Sequence, residues 1–183
     1  MRNRGFGTHA MKLVLMLSLL AVPGIVAAQQ GSMVSGSAAV ATKSDVLTII
    51  AGPRERGVFT PATLKDYPHQ SVTIYDHHTK RNETYSGVPL IDLLVKLGVP
   101  HGKTLMSKAL ADYIVVTGSD GYKSVVALGE ADPSFHPGVV LVADTLDGKP
   151  LGAIGPFRLV VSEDKRPARS VRNLVEIEVK TAE

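Results

Sequence analysis

Between Ser162 and Asn173 the chain carries Lys165, Arg166, Arg169 and Arg172, opposed only by Glu163 and Asp164. These residue types bind oxyanions: a guanidinium fork matches a phosphate, and a hydroxyl such as that of Ser170 or a backbone N–H adds a donor. Flanking sequence decides whether such a run is a solvated loop or a site. Upstream, Gly155-Pro156 turns the chain into the apolar run Phe157–Val161, which contains Arg158. Downstream, Leu174–Val179 alternates apolar and acidic residues with the period of a half-buried strand. Two strands therefore hold the basic segment at both ends, which predicts a loop fixed to present cations and N–H groups to an anion.

Other chemistries have weaker support. His77 and His78 are adjacent, so a continuing strand would send them to opposite faces and make them poor partners for one metal. A zinc or copper site joining one of them to His69, His101 or His136 lacks any ligand-type spacing. Serine, histidine and aspartate occur without a nucleophile elbow. There is no cysteine, which excludes thiolate catalysis and thiolate metal ligation. No residue is assigned a catalytic or metal-ligating role. Asn82-Glu83-Thr84 fits a glycosylation acceptor and is read as a chance match in a polar loop.

The elements that must position the basic loop can be read in order. Val46–Ala51 is a β-branched run closed by Gly52-Pro53, hence a strand. Thr60-Pro61 starts a helix that Tyr67-Pro68 keeps short. Ser71–Tyr75 is a strand, followed by a polar segment over Asp76–Glu83. Pro89 opens a helix whose apolar face is Leu90, Ile91, Leu93, Leu94 and Leu97, with Gly98 as its stop. Lys103–Ala111 is expected to be helical. Tyr113–Thr117 and Lys123–Leu128 form a hairpin through Gly118-Ser119-Asp120-Gly121, Val139–Ala143 is a strand, and Asp147-Gly148 turns the chain back. Short helices do not alternate regularly with strands, so the fold is α+β with mixed, mostly antiparallel sheets.

Residues 1–28 have the order of a secretory signal peptide: Arg2, Arg4 and Lys12, then an apolar run over Leu13–Val22, then Val26-Ala27-Ala28 as a cleavage site. Residues 29–43 read as a flexible tether and residues 44–183 as one domain. The whole chain has 20 Lys+Arg and 17 Asp+Glu, but the leader removes three bases and no acid, leaving 17 of each. A neutral mature protein gives no support for nucleic-acid binding. The expected location is periplasmic or secreted, with no stable membrane insertion after cleavage.

Four blocks then resemble one family. The segments YSGVPLIDLLVKLGV, SDGYKSVVAL, VVLVADTLDGKPLGAIGPFRLVV and SEDKRPARSVRNLVEIEV, in this order, are similar to the molybdopterin-binding domain of the sulfite-oxidase-like oxidoreductases, including the periplasmic enzymes that reduce oxidised methionine. The resemblance covers about Val46 to Val179. It implies the fold of that family and a phosphate-binding group made of Arg158, Arg169, Ser170 and Arg172 beside the Asp120-Gly121-Tyr122 turn. Active members hold molybdenum through a cysteine that would fall within Thr73–His78, where this chain has none. The expectation is therefore a non-catalytic module, sensory or partner-binding, that takes a small anionic ligand or a partner protein such as a membrane sensor, with no cofactor. The alternatives are a molybdopterin oxidoreductase with a non-cysteine metal environment and, third, a histidine-ligated metal protein.

Overall fold

The computed structural model describes residues 44–182. The expected signal peptide and tether lie outside the described residues. The elements run β1 (Leu47–Ile50), β2 (Arg56–Phe59), α1 (Pro61–Leu64), β3 (Gln70–Asp76), β4 (Arg81–Pro89), α2 (Leu90–Lys96), β5 (Asp112–Gly118), β6 (Lys123–Ala127), α3 (Leu128–Ala131), β7 (Val140–Leu146), β8 (Lys149–Pro150), β9 (Arg158–Val161) and β10 (Leu174–Thr181). The α+β reading holds, with one parallel pairing, β1 with β10, among antiparallel ones.

The first sheet has the order β2-β1-β10-β5-β6 and the second β3-β4-β7-β8, with β9 also paired to β7. One core unites them. Leu47, Ile49, Ile114, Val116, Val126 and Ile177 from the first sheet meet Val88, Val140, Val142, Leu159 and Val161 from the second, with Leu90, Leu93 and Leu94 of α2. A smaller cluster of Tyr85, Leu141, Ala143, Leu151 and Val160 lies on the other face of the second sheet. Strand alternation explains the split. On β9, Leu159 and Val161 enter the main core while Arg158 and Val160 take the opposite face.

Local signals account for several boundaries. Thr60 caps α1 reciprocally with Thr63, and Pro61 occupies the first turn. Gly98, at φ +81°, ends the α2 segment. Asp147 and Gly148 both have positive φ, as a two-residue hairpin turn between β7 and β8 requires. The expected helix over Lys103–Ala111 is instead two 3₁₀ turns, Gly102–Thr104 and Ser107–Ala111. Ser107 at φ +54° breaks the helical path between them. Gly87 serves close approach: a Cβ there would stand 2.1 Å from the Val142 carbonyl oxygen and 2.5 Å from the Ala143 Cα. This is where the β4–β7 register shifts, between Ser86 and Gly87.

Candidate functional site

The strand ends and turns of both sheets meet around a cavity of about 910 Å³, lined by His77, His78, Asp120, Tyr122, Arg158, Lys165, Arg166, Pro167, Ala168, Ser170 and Arg172. Four separate stretches build it: the β3–β4 turn, the β5–β6 turn, the start of β9 and the β9–β10 loop.

The loop is tied down from several sides. Val161 N–H donates to the buried Ser170 Oγ at 3.3 Å, closing the base of the loop. Ser124 Oγ donates to the Arg169 carbonyl at 3.0 Å, and Tyr122 O–H donates to the Ala168 carbonyl at 2.7 Å. The Tyr122 turn is itself set by Asp120, whose Oδ1 accepts the Tyr122 N–H at 2.9 Å, and by Gly121 at φ +82°. These bonds fix a loop whose Lys165, Arg166 and Arg172 have no ion pair among the described residues.

Arg158 forms part of the cavity wall and is only 2% exposed. Its Nη1 donates a short hydrogen bond to the Tyr85 hydroxyl, and its guanidinium carbon lies 4.7 Å from the centroid of that ring. Tyr85 in turn donates to Glu83 Oε2 at 2.7 Å. Glu83 is buried and also meets Thr79 Oγ1 at 3.0 Å and Arg81 Nη2 at 3.4 Å. The Arg158 Nε is shielded from solvent and has no hydrogen-bond partner. Burial pulls the Arg158 pKa below the usual arginine value and nearby Arg172 adds to this, while Tyr85, Glu83 and Asp76 pull the other way. Burial and the bond to Glu83 raise the Tyr85 pKa, so its proton is retained.

Five of the six residues picked from sequence come together here: Arg158, Ser170, Arg172, Asp120 and Tyr122. Arg169 does not. Its Nε and Nη2 grip Asp164 at 3.0 and 2.7 Å, its Nη1 meets both oxygens of Glu130 at 3.0 Å, and it lines a separate cavity of about 230 Å³. The bonds to Asp164, then those to Glu130, raise its pKa. The arginine that the family resemblance placed at the phosphate therefore braces the loop.

Four more groups reach the cavity: two that the sequence placed in the basic loop without choosing them as site residues, and two histidines that it read as poor partners for one metal. Lys165 and Arg166 line the cavity with Arg172. His77 and His78 both reach it, because β3 stops at Asp76 and the expected strand alternation does not continue. Asp76 Oδ1 accepts the N–H groups of His78 and Thr79 at 2.7 and 3.0 Å, turning the chain there, and the Thr79 bond leads in lowering its own pKa. No group of three or more potential metal ligands exists among the described residues. His69, a candidate ligand, is instead paired with Asp144 at 3.1 Å.

Residues 53–183 match the family model of the oxidoreductase molybdopterin binding domain. The chain belongs to this family. No curated protein matches it in sequence. Among solved structures it resembles the sulfane dehydrogenase SoxCD from Paracoccus pantotrophus, with 17% identity and a TM-score of 0.56 over 76% of this chain and 39% of that one. At that identity the likeness concerns the fold alone, and this chain spans well under half of that protein. The family assignment corrects the expectation that no cofactor belongs here: the cofactor class is molybdopterin.

The cavity fits one part of that cofactor. A buried arginine with an unsatisfied Nε, beside three cations without ion pairs, suits the phosphate of the pterin. The wall offers imidazole, guanidinium and ammonium groups but no thiolate, since the chain has no cysteine. It does not fit a metal held by soft protein sulfur.

Proposed function

We propose that this domain is an exported molybdopterin-binding module that takes the pterin through its phosphate and works by binding, in a sensory or partner-recognition role, rather than by turnover at a thiolate-held metal. The observation that carries this reading is Arg158: buried, unsatisfied at Nε and part of the wall of a cavity rimmed by Lys165, Arg166 and Arg172. In this reading Arg158 and Arg172 hold the phosphate, Lys165 and Arg166 steer it, and the Tyr122 ring covers one side against water. When bound, molybdopterin supplies redox chemistry at the metal carried by its dithiolene; the side chains of the cavity supply orientation and charge. The neutral mature charge keeps the attraction local to this cavity instead of spread over the surface. No helix among the described residues is long and apolar enough to cross a membrane.

Titration of inorganic phosphate and of a pterin phosphate against the wild type and Arg172→Ala tests the reading. Loss of one charged contact should weaken binding about tenfold or more. Equal affinity in the two proteins, or no binding by either, would sink it. Mass measurement of protein recovered from outside the cytoplasm tests export, with an N-terminus near Gln29 expected.

One observation favours a second reading. His77 and His78 both face the cavity, so an oxidoreductase with nitrogen groups near its metal is the alternative. Recovery of metal with the pterin, and a metal spectrum changed by His77→Ala or His78→Ala, would favour it over the module.

A further inference from the structure

Arg158 and Arg169 meet carboxylates in opposite ways, and Tyr85 makes the difference. Arg169 uses Nε, Nη1 and Nη2 directly on Asp164 and Glu130, which leaves little to offer a ligand. Arg158 is more deeply buried and has Glu83 on its own face of the sheet, 3% exposed. No ion pair joins these two directly. The Tyr85 hydroxyl stands between them, accepting from Arg158 Nη1 and donating to Glu83 Oε2 at 2.7 Å. The phenol ring also packs under the guanidinium. Glu83 is held away by Thr79 Oγ1 and Arg81. The charge of Arg158 is thus compensated at a distance while Nε keeps no partner.

From this geometry we infer that Tyr85 is a positioning residue that acts as a spacer: it fixes the Arg158 guanidinium and keeps Glu83 from quenching it, leaving the guanidinium edge to select an oxyanion of the phosphate-monoester class. The inference rests on the anion-site reading above. Its sequence origin is simple. Glu83 and Tyr85 are two apart on β4 and share a face, and β9 places Arg158 on that face across β7. A carboxylate, a phenol and a guanidinium are stacked in series, and a shorter residue at position 85 would bring the end groups together or leave both unpaired. Asp76 is the other acidic group whose field reaches Arg158.

The test titrates inorganic phosphate, at fixed ionic strength and well below every melting temperature, into the full chain and three variants. Tyr85→Phe keeps the ring and its packing but loses the hydroxyl; phosphate affinity should fall about tenfold. Val160→Ala, in the same apolar cluster, costs packing without touching the hydrogen bonds and should bind as the wild type does. Glu83→Gln keeps a partner for the tyrosine while removing the charge, and should bind equally or a few-fold more tightly. It also serves if Tyr85→Phe does not fold. Wild-type affinity in Tyr85→Phe, a matching loss in Val160→Ala, or a tenfold loss in Glu83→Gln would each overturn the spacer while leaving the anion site standing. Failure of the wild type itself to bind phosphate would remove both.

Discussion

Arg169 and Asp164 form a bidentate pair across five residues of one loop, with Nε to Oδ2 at 3.0 Å and Nη2 to Oδ1 at 2.7 Å. The pair draws the two ends of the segment 164–169 together, so that Lys165 and Arg166 stand on its outer bend. Glu130, in α3 beside the end of β6, binds the third donor of the same guanidinium and ties the loop to the first sheet. The salt bridge therefore shapes the loop that lines the main cavity without lining that cavity itself.

Arg169→Ala should consequently act on stability before affinity. The guanidinium is about one third exposed, so the loss is about 1 kcal/mol, a fall of roughly 3 °C in melting temperature. Phosphate affinity should fall less than in Arg172→Ala. A thermal melt and a titration on the same sample decide it. An unchanged melt with abolished binding would return Arg169 to the ligand.

At Gly87 the backbone leaves no room for a side chain. Its Cβ would meet the Val142 carbonyl and the Ala143 Cα, atoms of a paired strand that cannot rotate away. Gly87→Ala should cost about 1–3 kcal/mol, or more if the pairing is lost. Urea unfolding monitors this, and a midpoint within error of the wild type would show that β4 can shift at no cost.

His69 should give a stability that depends on pH. Burial works against its charged form, but the bonds to Asp144 and to the Tyr67 carbonyl outweigh that and raise its pKa above 6.5. A raised folded pKa contributes stability that is fully present below the unfolded value and is lost as pH rises through the folded value. The melting-temperature gap between wild type and His69→Gln should thus be larger at about pH 5.5 than at about pH 9. A gap that stays constant or grows with pH would contradict the assignment.

Legibility from sequence followed periodicity. β1, β3, β5, β6, β7, β9 and β10 each carry an apolar run or an alternation, and all fall close to where these patterns put them. β4 escaped because Glu83 occupies an inward position where an apolar residue would be expected, and its burial depends on Tyr85, Thr79 and Arg81, partners that only the fold supplies. The candidate site was half legible for the same reason. Charge spacing found the loop, but Arg169 and Arg172 look alike until Asp164 and Glu130 are seen to claim one of them. The second histidine was hidden by the end of β3, a backbone event set by Asp76.

The place of β10 has a consequence for the order in which the protein can be made. It is the middle strand of the first sheet, parallel to β1 on one side and antiparallel to β5 on the other. Within this sheet β1–β2 and β5–β6 are two separate antiparallel pairs that only Leu174–Thr181 joins by hydrogen bonds among the described residues. The pairing of Thr48 with Glu176 is among the most distant in the chain, and contacts of such separation form slowly. The basic loop hangs from this same strand, so the cavity is completed in the same event. Until that strand is in place, the C-terminal end of the basic loop has no anchor in the first sheet.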